Sequence, residues 1–188
     1  MTNPEYQILL VGEKGVGKTC IAHRADFDDF EKQKATKTPI KTSIKVNLGG
    51  GTNPSLELWD IPGKDIKIMS DKITFEISIL VNAQGCFAVY DVTNRKSLML
   101  LWNWIEKALQ RYGDMPIILI GNKNDIIKKR PRQVSKEEGE SLAKKLGVEF
   151  FEVSAKNDDY EVFEQIMKSM AKLLLLKKLK KSLQTTNY

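Results

Sequence analysis

The feature that most constrains this chain is a glycine-rich segment, residues 12–19, which reads Gly-Glu-Lys-Gly-Val-Gly-Lys-Thr. It follows an apolar run at residues 8–11 and opens a segment with helical periodicity. Glycines let the backbone curl so that successive amide groups point inward, and the helix start adds unpaired N–H groups. With the charge of Lys18 and the hydroxyl of Thr19, the pattern predicts a loop that holds phosphate groups and magnesium. The strand and helix on either side disfavour the alternative, a glycine-rich turn with a chance lysine.

Short apolar runs alternate with amphipathic segments along the chain, which predicts an α/β fold. We expect a six-stranded, mostly parallel sheet with one antiparallel hairpin strand, turning at residues 49–54, and helices on both faces. Ser135 followed by Glu138 predicts a capped helix start, and Gly147 predicts its end. The expected strands are residues 8–11, 44–48, 56–59, 86–90, 117–120 and 148–153, and the expected helices are residues 18–26, 67–81, 96–111, 136–146 and from 159 onward.

Length and composition limit the class of protein. The 188 residues, 41% of them hydrophobic, suffice for one core, so we expect one domain over residues 1–175 and a basic tail over residues 176–188. No apolar run approaches the ~20 residues of a membrane span and no signal peptide is evident, which predicts a cytoplasmic protein. Cys20 and Cys86 lie in apolar stretches, so no disulfide is expected.

The net charge of +6 is concentrated in clusters rather than spread over one face, so nucleic-acid binding is not expected. One cluster lies in the tail, where residues 173–183 combine leucines with lysines. A solvated helix end is the favoured interpretation, and weak peripheral contact with an anionic membrane remains the alternative.

A second motif, Asn122-Lys123-Asn124-Asp125, follows the expected strand at residues 117–120 and therefore lies at the edge of the sheet where ligands bind. The Asp125 carboxylate can accept hydrogen bonds from the ring N–H and exocyclic amino group of guanine, whereas adenine would leave it unpaired. The stem of Lys123 can lie along the base. Ser154-Ala155-Lys156, after the next strand, offers another base contact, and together these motifs favour guanine over the ATP of P-loop kinases and ATPases.

A third group of residues suits magnesium. Asp60 ends an expected strand, where it could hold the ion through water, and Gly63 could approach a terminal phosphate; a turn cap is the alternative role for Asp60. The polar stretch at residues 31–42 offers Thr38, or else Thr36, to complete the metal shell. We expect this stretch to become ordered with the terminal phosphate and metal, as a switch.

Together these motifs resemble the Ras-like small GTPases, and among them the Rab-type branch, over about residues 5–172. The segment Val-Tyr-Asp-Val-Thr at residues 89–93, with Trp102 and Trp104, is also Rab-like. The resemblance implies a P-loop NTPase fold of the G-domain type that binds GTP and GDP with Mg²⁺ and hydrolyses GTP slowly. It also implies effector and regulator proteins that contact the switch segments, and we expect a monomer.

The resemblance also implies roles for individual residues. Catalytic positions correspond to Lys18, Gly63 and Lys64, and metal-ligand positions to Thr19, Thr38 and Asp60. Phe30 matches an aromatic residue that covers the guanine edge, with a core phenylalanine as the alternative. The expected nucleotide contacts are Lys14, Gly15, Val16, Gly17, Lys18, Thr19, Cys20, Phe30, Thr38, Gly63, Asn122, Lys123, Asp125, Ser154, Ala155 and Lys156.

Several residues depart from the family pattern. Lys64 stands where the family usually has glutamine, and it cannot accept a hydrogen bond from the attacking water, so hydrolysis should be impaired. Lys14 replaces a small residue and could obstruct a partner's arginine, substitute for its charge, or be a surface lysine. The segment after Gly63 is longer, Thr38 is followed by Pro39 rather than glycine, and residues 184–188 contain no cysteine for a prenyl anchor. A hydrolysis-deficient GTP-binding scaffold is therefore the alternative to a slow GTPase switch.

Overall fold

The computed structural model describes residues 5–27, 30, 38–62, 68–69, 72–73, 83–112 and 115–185. These residues form strands, helices and one short 3₁₀ helix. In chain order the elements are β1 (Glu5–Val11), α1 (Lys18–Asp26), β2 (Ile40–Lys45), β3 (Ser55–Asp60), β4 (Ile68–Met69), β5 (Lys72–Ile73), β6 (Gly85–Asp91), α2 (Arg95–Tyr112), β7 (Ile117–Asn122), the 3₁₀ helix (Asn124–Lys128), α3 (Lys136–Leu146), β8 (Glu149–Val153) and α4 (Tyr160–Thr185).

Six of the strands form one sheet in the order β2-β3-β1-β6-β7-β8. Neighbouring strands are parallel except for β2, which runs antiparallel to β3, so the predicted fold class and hairpin are confirmed. The register pairs Leu10 with Asp60, Asp91 with Asn122, and Asn122 with Val153. The carboxyl ends of the parallel strands therefore lie along one edge, where their polar residues come together.

The two faces of the sheet are covered by different helices. Side chains alternate along a strand, so Ile8 and Leu10 of β1 point to one face and Leu9 and Val11 to the other. All four are buried, as expected for a central strand of a parallel sheet. The first face packs against α1 and α4, and the second packs against α2 and α3, which confirms helices on both faces.

The ends of helix α3 and its close packing on the sheet follow from particular residues of the sequence. The Ser135 hydroxyl accepts a hydrogen bond from the backbone N–H of Glu138 at 3.1 Å, and Gly147 ends the helix with a φ of 68°, as predicted. In the helix, a Cβ atom at Gly139 would lie 2.6 Å from the hydroxyl oxygen of the buried Tyr90. A Cβ at Gly121 in β7 would lie 2.7 Å from the same oxygen. The two glycines therefore let α3 and β7 close around the Tyr90 ring.

The helix expected at residues 67–81 is wrong where the structure describes that segment. Ile68–Met69 and Lys72–Ile73 form a short antiparallel pair, with Ile68 opposite Ile73 and Met69 opposite Lys72. Isoleucine is stiff at χ1 and suits an extended strand, and pairing across a short link satisfies backbone groups that helical periodicity alone does not reveal. The other residues of the predicted helix lie outside the described part of the chain.

The remaining predicted helices are confirmed with small changes at their ends. Helix α4 continues without a break through the expected boundary between residues 175 and 176, and the division of the chain there stays a prediction. Within the described ranges, none of the helices has the combination of length and hydropathy needed to span a membrane.

Candidate nucleotide-binding site

The phosphate loop joins β1 to α1 and is pressed against neighbouring backbone and side chains. Gly12 has a φ of 150°, and a Cβ atom there would lie 2.1 Å from the carbonyl oxygen of Val89. Gly17 has a φ of 103°, and its Cβ would lie 2.2 Å from Nδ2 of Asn122. Both positions combine left-handed backbone with no space for a side chain, so only glycine fits. The loop thereby takes the curled path that the sequence predicted.

Lys18 is buried at the start of α1 and folds back over this loop. Its Nζ atom donates hydrogen bonds to the carbonyl oxygens of Gly12 at 3.0 Å and Glu13 at 3.3 Å. Burial lowers the pKa of the Lys18 ammonium, and the Asp60 carboxylate opposes that shift. A phosphate group beside this ammonium would stabilise its charged form, so the arrangement suits an anion.

Thr19 and Asp60 bring two oxygen ligands together at the same end of the site. The Thr19 hydroxyl donates to Oδ2 of Asp60 at 2.5 Å, and the Asp60 side chain is buried at the end of β3. Among the described residues, no group of three or more His, Cys, Asp and Glu side chains could hold a metal by itself. One carboxylate and one hydroxyl suit Mg²⁺, which takes its remaining ligands from phosphate oxygens and water. The donor set therefore fits the predicted ion.

Asn122 joins the phosphate loop to the base segments. Its Nδ2 atom donates to the carbonyl oxygen of Val16 at 2.9 Å, and its Oδ1 atom accepts from the backbone N–H groups of Lys123 at 2.8 Å and Ala155 at 3.1 Å. Asn122 is 1% exposed, so these bonds are shielded from water. Three segments that are far apart in sequence thus become one site. This bridging role was not predicted, although Asn122 was.

Asp125 and Ser154 form the base end of the site. The Ser154 hydroxyl donates to Oδ1 of Asp125 at 2.8 Å and accepts from the backbone N–H groups of Lys156 at 3.2 Å and Asn157 at 3.0 Å. The backbone N–H of Ser154 donates to Oδ2 of Asp158 at 2.8 Å. A carboxylate has about four acceptor positions, and Ser154 uses one of those on Asp125. The partly exposed Asp125 carboxylate is therefore oriented and can accept further hydrogen bonds.

The Lys123 ammonium lies between the phosphate loop and β6. It contacts the carbonyl oxygen of Gly15 at 2.5 Å and Oδ2 of Asp91 at 2.8 Å. Neither Asp91 nor Asp158 was predicted as a site residue. Asp91 ends a buried strand beside the strand of Asn122, which is a signal that could have identified it. Asp158 follows Ser154 at the spacing of a side-chain-capped turn.

The structure brings together the glycines and Val16 of the phosphate loop with Lys18, Thr19, Asp60 and the residues at 122–125 and 154–155. Lys14 and Lys156 are exposed beside them. The side chain of Cys20 packs against the core, so a ligand contact there would come from its backbone. Phe30 and Thr38 are exposed. Thr36, Gly63 and Lys64 lie outside the described residues.

A glycine-rich loop between the first strand and first helix, with polar residues at the ends of β3, β7 and β8, defines a P-loop nucleotide-binding domain. A sequence model of the Ras family matches residues 7–173. The chain is 34% identical to Ras-related protein SEC4 of Saccharomyces cerevisiae, over 89% of this chain and 74% of that protein. It is 36% identical to Ras-related protein Rab-8A of Mus musculus, over 80% of this chain and 70% of that protein. It is 35% identical to Ras-related protein RabC of Dictyostelium discoideum, over 88% of this chain and 83% of that protein.

The chain therefore belongs to the Ras family of small GTPases, and it is similar to the Rab branch. This membership confirms the predicted resemblance and the class of GTP-binding P-loop protein.

Proposed function

We propose that this chain is a guanine-nucleotide-dependent molecular switch that binds GTP and GDP with Mg²⁺ and hydrolyses GTP slowly. The observation that carries the proposal is the position of Asn122, whose three hydrogen bonds join Val16 of the phosphate loop to Lys123 and Ala155. A ligand with an anionic phosphate end and a base end that offers N–H donors matches the two ends of this site.

Guanine selectivity would come from the Asp125 carboxylate. Ser154 holds one of its oxygens, so the carboxylate is oriented before any base arrives. Guanine offers a ring N–H and an exocyclic amino group, while adenine presents an acceptor at the matching ring position. A partly desolvated carboxylate that faces an acceptor loses roughly 3 kcal/mol, which is on the order of a hundredfold.

The hydrolytic step would be mainly electrostatic. Lys18 and the loop amides, among them those of Gly15, Val16, Gly17 and Cys20, would stabilise negative charge on the phosphates. Thr19 and Asp60, with Thr38, would hold Mg²⁺, which when bound neutralises charge on the phosphates. Gly63 would donate its N–H to the terminal phosphate, and Lys14 would lie beside it. Lys123, Ala155, Lys156 and Phe30 would contact the base, so the proposed contact set is that of the sequence prediction.

The test is to purify the protein and identify the nucleotide that copurifies with it. We expect GDP or GTP, with faster release when magnesium is chelated, and we expect excess ATP not to displace fluorescent GDP. A protein that holds no guanosine nucleotide, or that exchanges GDP for ATP readily, would contradict the proposal.

Lys64 favours a second candidate function, a GTP-binding scaffold that has lost hydrolysis. An ammonium at this position has no lone pair to orient an attacking water. Single-turnover phosphate release from GTP-loaded protein separates the two candidates, with Lys64→Gln compared against the unmodified chain and Lys45→Gln, at an exposed lysine on β2, as the control. A marked gain in rate for Lys64→Gln alone supports the impaired site, and an unchanged rate argues that Lys64 has no part in it.

Effector and regulator proteins would contact the switch segments, residues 31–42 and the segment that follows Gly63. We propose a cytoplasmic monomer whose partners distinguish the GTP-bound from the GDP-bound form. Capture of protein partners on the immobilised chain, loaded in parallel with GDP and with a non-hydrolysable GTP analogue, tests this. Identical partners in both forms would contradict a switch.

We propose in addition that the end of α4 makes weak contact with anionic membranes. Leu176, Leu179 and Leu183 are 53%, 58% and 67% exposed, and their spacing places them on one side of the helix. At about 100° per residue, this side lies roughly half a turn from the buried Met170 and Leu174, so it faces away from the core. The four lysines at 177, 178, 180 and 181 would attract anionic lipid and disfavour pairing with a second copy.

Sedimentation with lipid vesicles tests this contact. We expect weak binding to vesicles that contain phosphatidylserine and none to neutral phosphatidylcholine vesicles. Leu179→Ser should reduce binding, with the exposed Met99→Ser on the opposite helical layer as the matched control. Equal binding to both vesicle types, or no binding to either, would contradict the proposal.

A further inference from the structure

Lys123 has a backbone conformation that is unfavourable for a residue other than glycine. Its φ is 70°, and it is the one non-glycine residue with positive φ in the described part of the chain. A side chain in this left-handed region is strained, so surrounding contacts must hold the residue there. Those contacts come from Asn122 at the backbone and from Gly15 and Asp91 at the ammonium.

Asp91 is arranged to receive that ammonium. Its Oδ1 atom accepts from the backbone N–H of Thr93 at 2.8 Å and from the Thr93 hydroxyl at 2.7 Å, which leaves Oδ2 facing Lys123 at 2.8 Å. The Asp91 side chain is 7% exposed and that of Lys123 is 28% exposed. Because Thr93 fixes the rotation of the carboxylate, Asp91 is an oriented anion before Lys123 reaches it.

The same ammonium also contacts the phosphate loop at Gly15, so Asp91 and Gly15 hold it from two directions. Its position decides how closely the base segment lies against the loop. Without the carboxylate, Lys123 would keep one carbonyl partner on a loop that is exposed at Gly15. The Lys123 stem, which in the proposed site lies along the base, would then have more freedom.

We propose that Asp91 is a positioning residue that holds Lys123 against the phosphate loop and thereby slows the release of bound guanine nucleotide. Asp91 acts through Lys123, since one oxygen of its carboxylate is held by Thr93 and the other contacts the Lys123 ammonium. The inference rests on the proposed nucleotide binding, and it adds the end of β6 as a fourth segment to the three that Asn122 joins.

Asp91→Asn is the direct test, because it keeps the size of the side chain. Thr93 would still require the one oxygen of the amide, so the amide nitrogen would face the Lys123 ammonium, donor against donor. We expect fluorescent GDP to dissociate about tenfold faster or more, as for the loss of a hydrogen-bonded charge pair. Glu152→Gln is the matched control, since Glu152 pairs with Arg132 at 2.8 Å with exposures of 7% and 27%, close to those of Asp91 and Lys123. The control should release GDP within about threefold of the unmodified rate.

A double-mutant cycle distinguishes positioning from general loosening. If Asp91 acts through Lys123, Asp91→Asn should accelerate release by less than about twofold in a Lys123→Met background. Full additivity of the two substitutions would overturn the proposal, and so would an unchanged release rate in Asp91→Asn alone.

Asp91→Glu is the second variant and serves if Asp91→Asn does not fold, as judged by circular dichroism. It keeps the negative charge within reach of the flexible ammonium and should restore release to within about threefold of the unmodified rate. Folded Asp91→Glu protein that releases GDP tenfold faster or more would overturn the proposal. Failure of the unmodified chain to bind GDP would instead contradict the proposed function, and with it this inference.

Discussion

At the phosphate end of the site, most contacts come from one short stretch of chain, residues 12–19, to which β3 adds Asp60, whereas the base end is assembled from stretches that follow different strands. Lys18 bonds to Gly12 and Glu13 within its own loop. Asp125 instead depends on Ser154, which follows a different strand. The phosphate end is therefore built mainly by local backbone geometry, while the base end depends on the sheet bringing separate loops together. Substitutions at the two ends should therefore impair different parts of nucleotide binding, the phosphates at one end and the base at the other.

The largest expected effect is at the phosphate end. Lys18→Ala removes a buried ammonium that we expect on the phosphates, and GDP affinity should fall by about 100-fold or more, since charge-assisted contacts contribute 1.5–3 kcal/mol each. Fluorescent GDP titration measures the change. Lys45→Ala, which removes an exposed lysine on β2, is the control for net charge. A tenfold loss or less would argue that the loop amides alone hold the phosphates.

The next largest effect distinguishes the base end from the phosphate end by a comparison of two nucleotides. Asp125→Asn removes the negative charge that we expect to accept from guanine, and GDP affinity should fall by about 30-fold, or ~2 kcal/mol. Because the phosphate end is intact, ADP affinity should change little. The ratio of GDP affinity to ADP affinity should therefore decrease. Competition titrations with GDP and ADP measure both. Asp159→Asn, at an exposed carboxylate, is the control, and an equal loss for both nucleotides would contradict a base-specific role.

Gly17→Ala tests the junction between the two ends. The added Cβ would meet Asn122 at 2.2 Å in a left-handed conformation, and we expect the free energy of unfolding to fall by about 2 kcal/mol. Gly49→Ala is a matched control, since Gly49 has a φ of 75° with no atom within 4 Å of its Cβ position. Urea unfolding of both variants measures the difference. Equal losses would mean that the collision with Asn122 contributes nothing.

Ser154→Ala should have a smaller effect at the base end. It removes the hydroxyl that orients Asp125 and caps two backbone N–H groups, so GDP affinity should fall by about fivefold, or ~1 kcal/mol. The control is Ser169→Ala on α4, which removes a hydroxyl bonded to Glu149 away from the site. A loss as large as that of Asp125→Asn would show that orientation matters as much as charge.

The smallest effect is a pH dependence confined to the phosphate end. Burial lowers the pKa of Lys18 in the free protein, and only the protonated ammonium attracts phosphate. GDP affinity should therefore decline as pH rises, beginning below the pH at which an ordinary lysine loses its proton. Lys18→Arg, whose guanidinium stays charged, should flatten this decline, although its affinity at neutral pH is lower. Titration of guanine itself is common to both proteins, so parallel profiles would exclude Lys18 as the cause.

The same contrast explains what the sequence could predict. Residues 12–19 are contiguous in sequence. The order of the glycines, Lys18 and Thr19 along the chain was therefore enough to predict a phosphate loop. The strands beside them were predictable because buried parallel strands are continuous apolar runs. Asp125 and Ser154 were predictable as motifs at strand ends, but their mutual hydrogen bond depends on the register between β7 and β8.

Other contacts depend on tertiary structure in ways that no local pattern carries. The bridge from Asn122 to Val16 spans 106 residues, and the pair between Lys123 and Asp91 requires β6 and β7 to be neighbours. The helix expected at residues 67–81 was wrong at Ile68 and Ile73 because a pairing partner, not periodicity, decides between helix and strand there.

The close packing of α3 against the sheet should affect the proposed nucleotide site indirectly. Gly121, where a side chain would collide with Tyr90, is followed directly by Asn122, and a side chain at Gly139 would collide with Tyr90 from the helix side. A Cβ atom introduced at Gly139 would lie 2.6 Å from the Tyr90 hydroxyl oxygen and 2.7 Å from the Phe150 ring, so we expect it to press Tyr90 toward the strand that carries Asn122. A substitution on this helix, which contributes no residue to the proposed site, should therefore weaken the proposed binding of the base through a displacement of the Tyr90 ring.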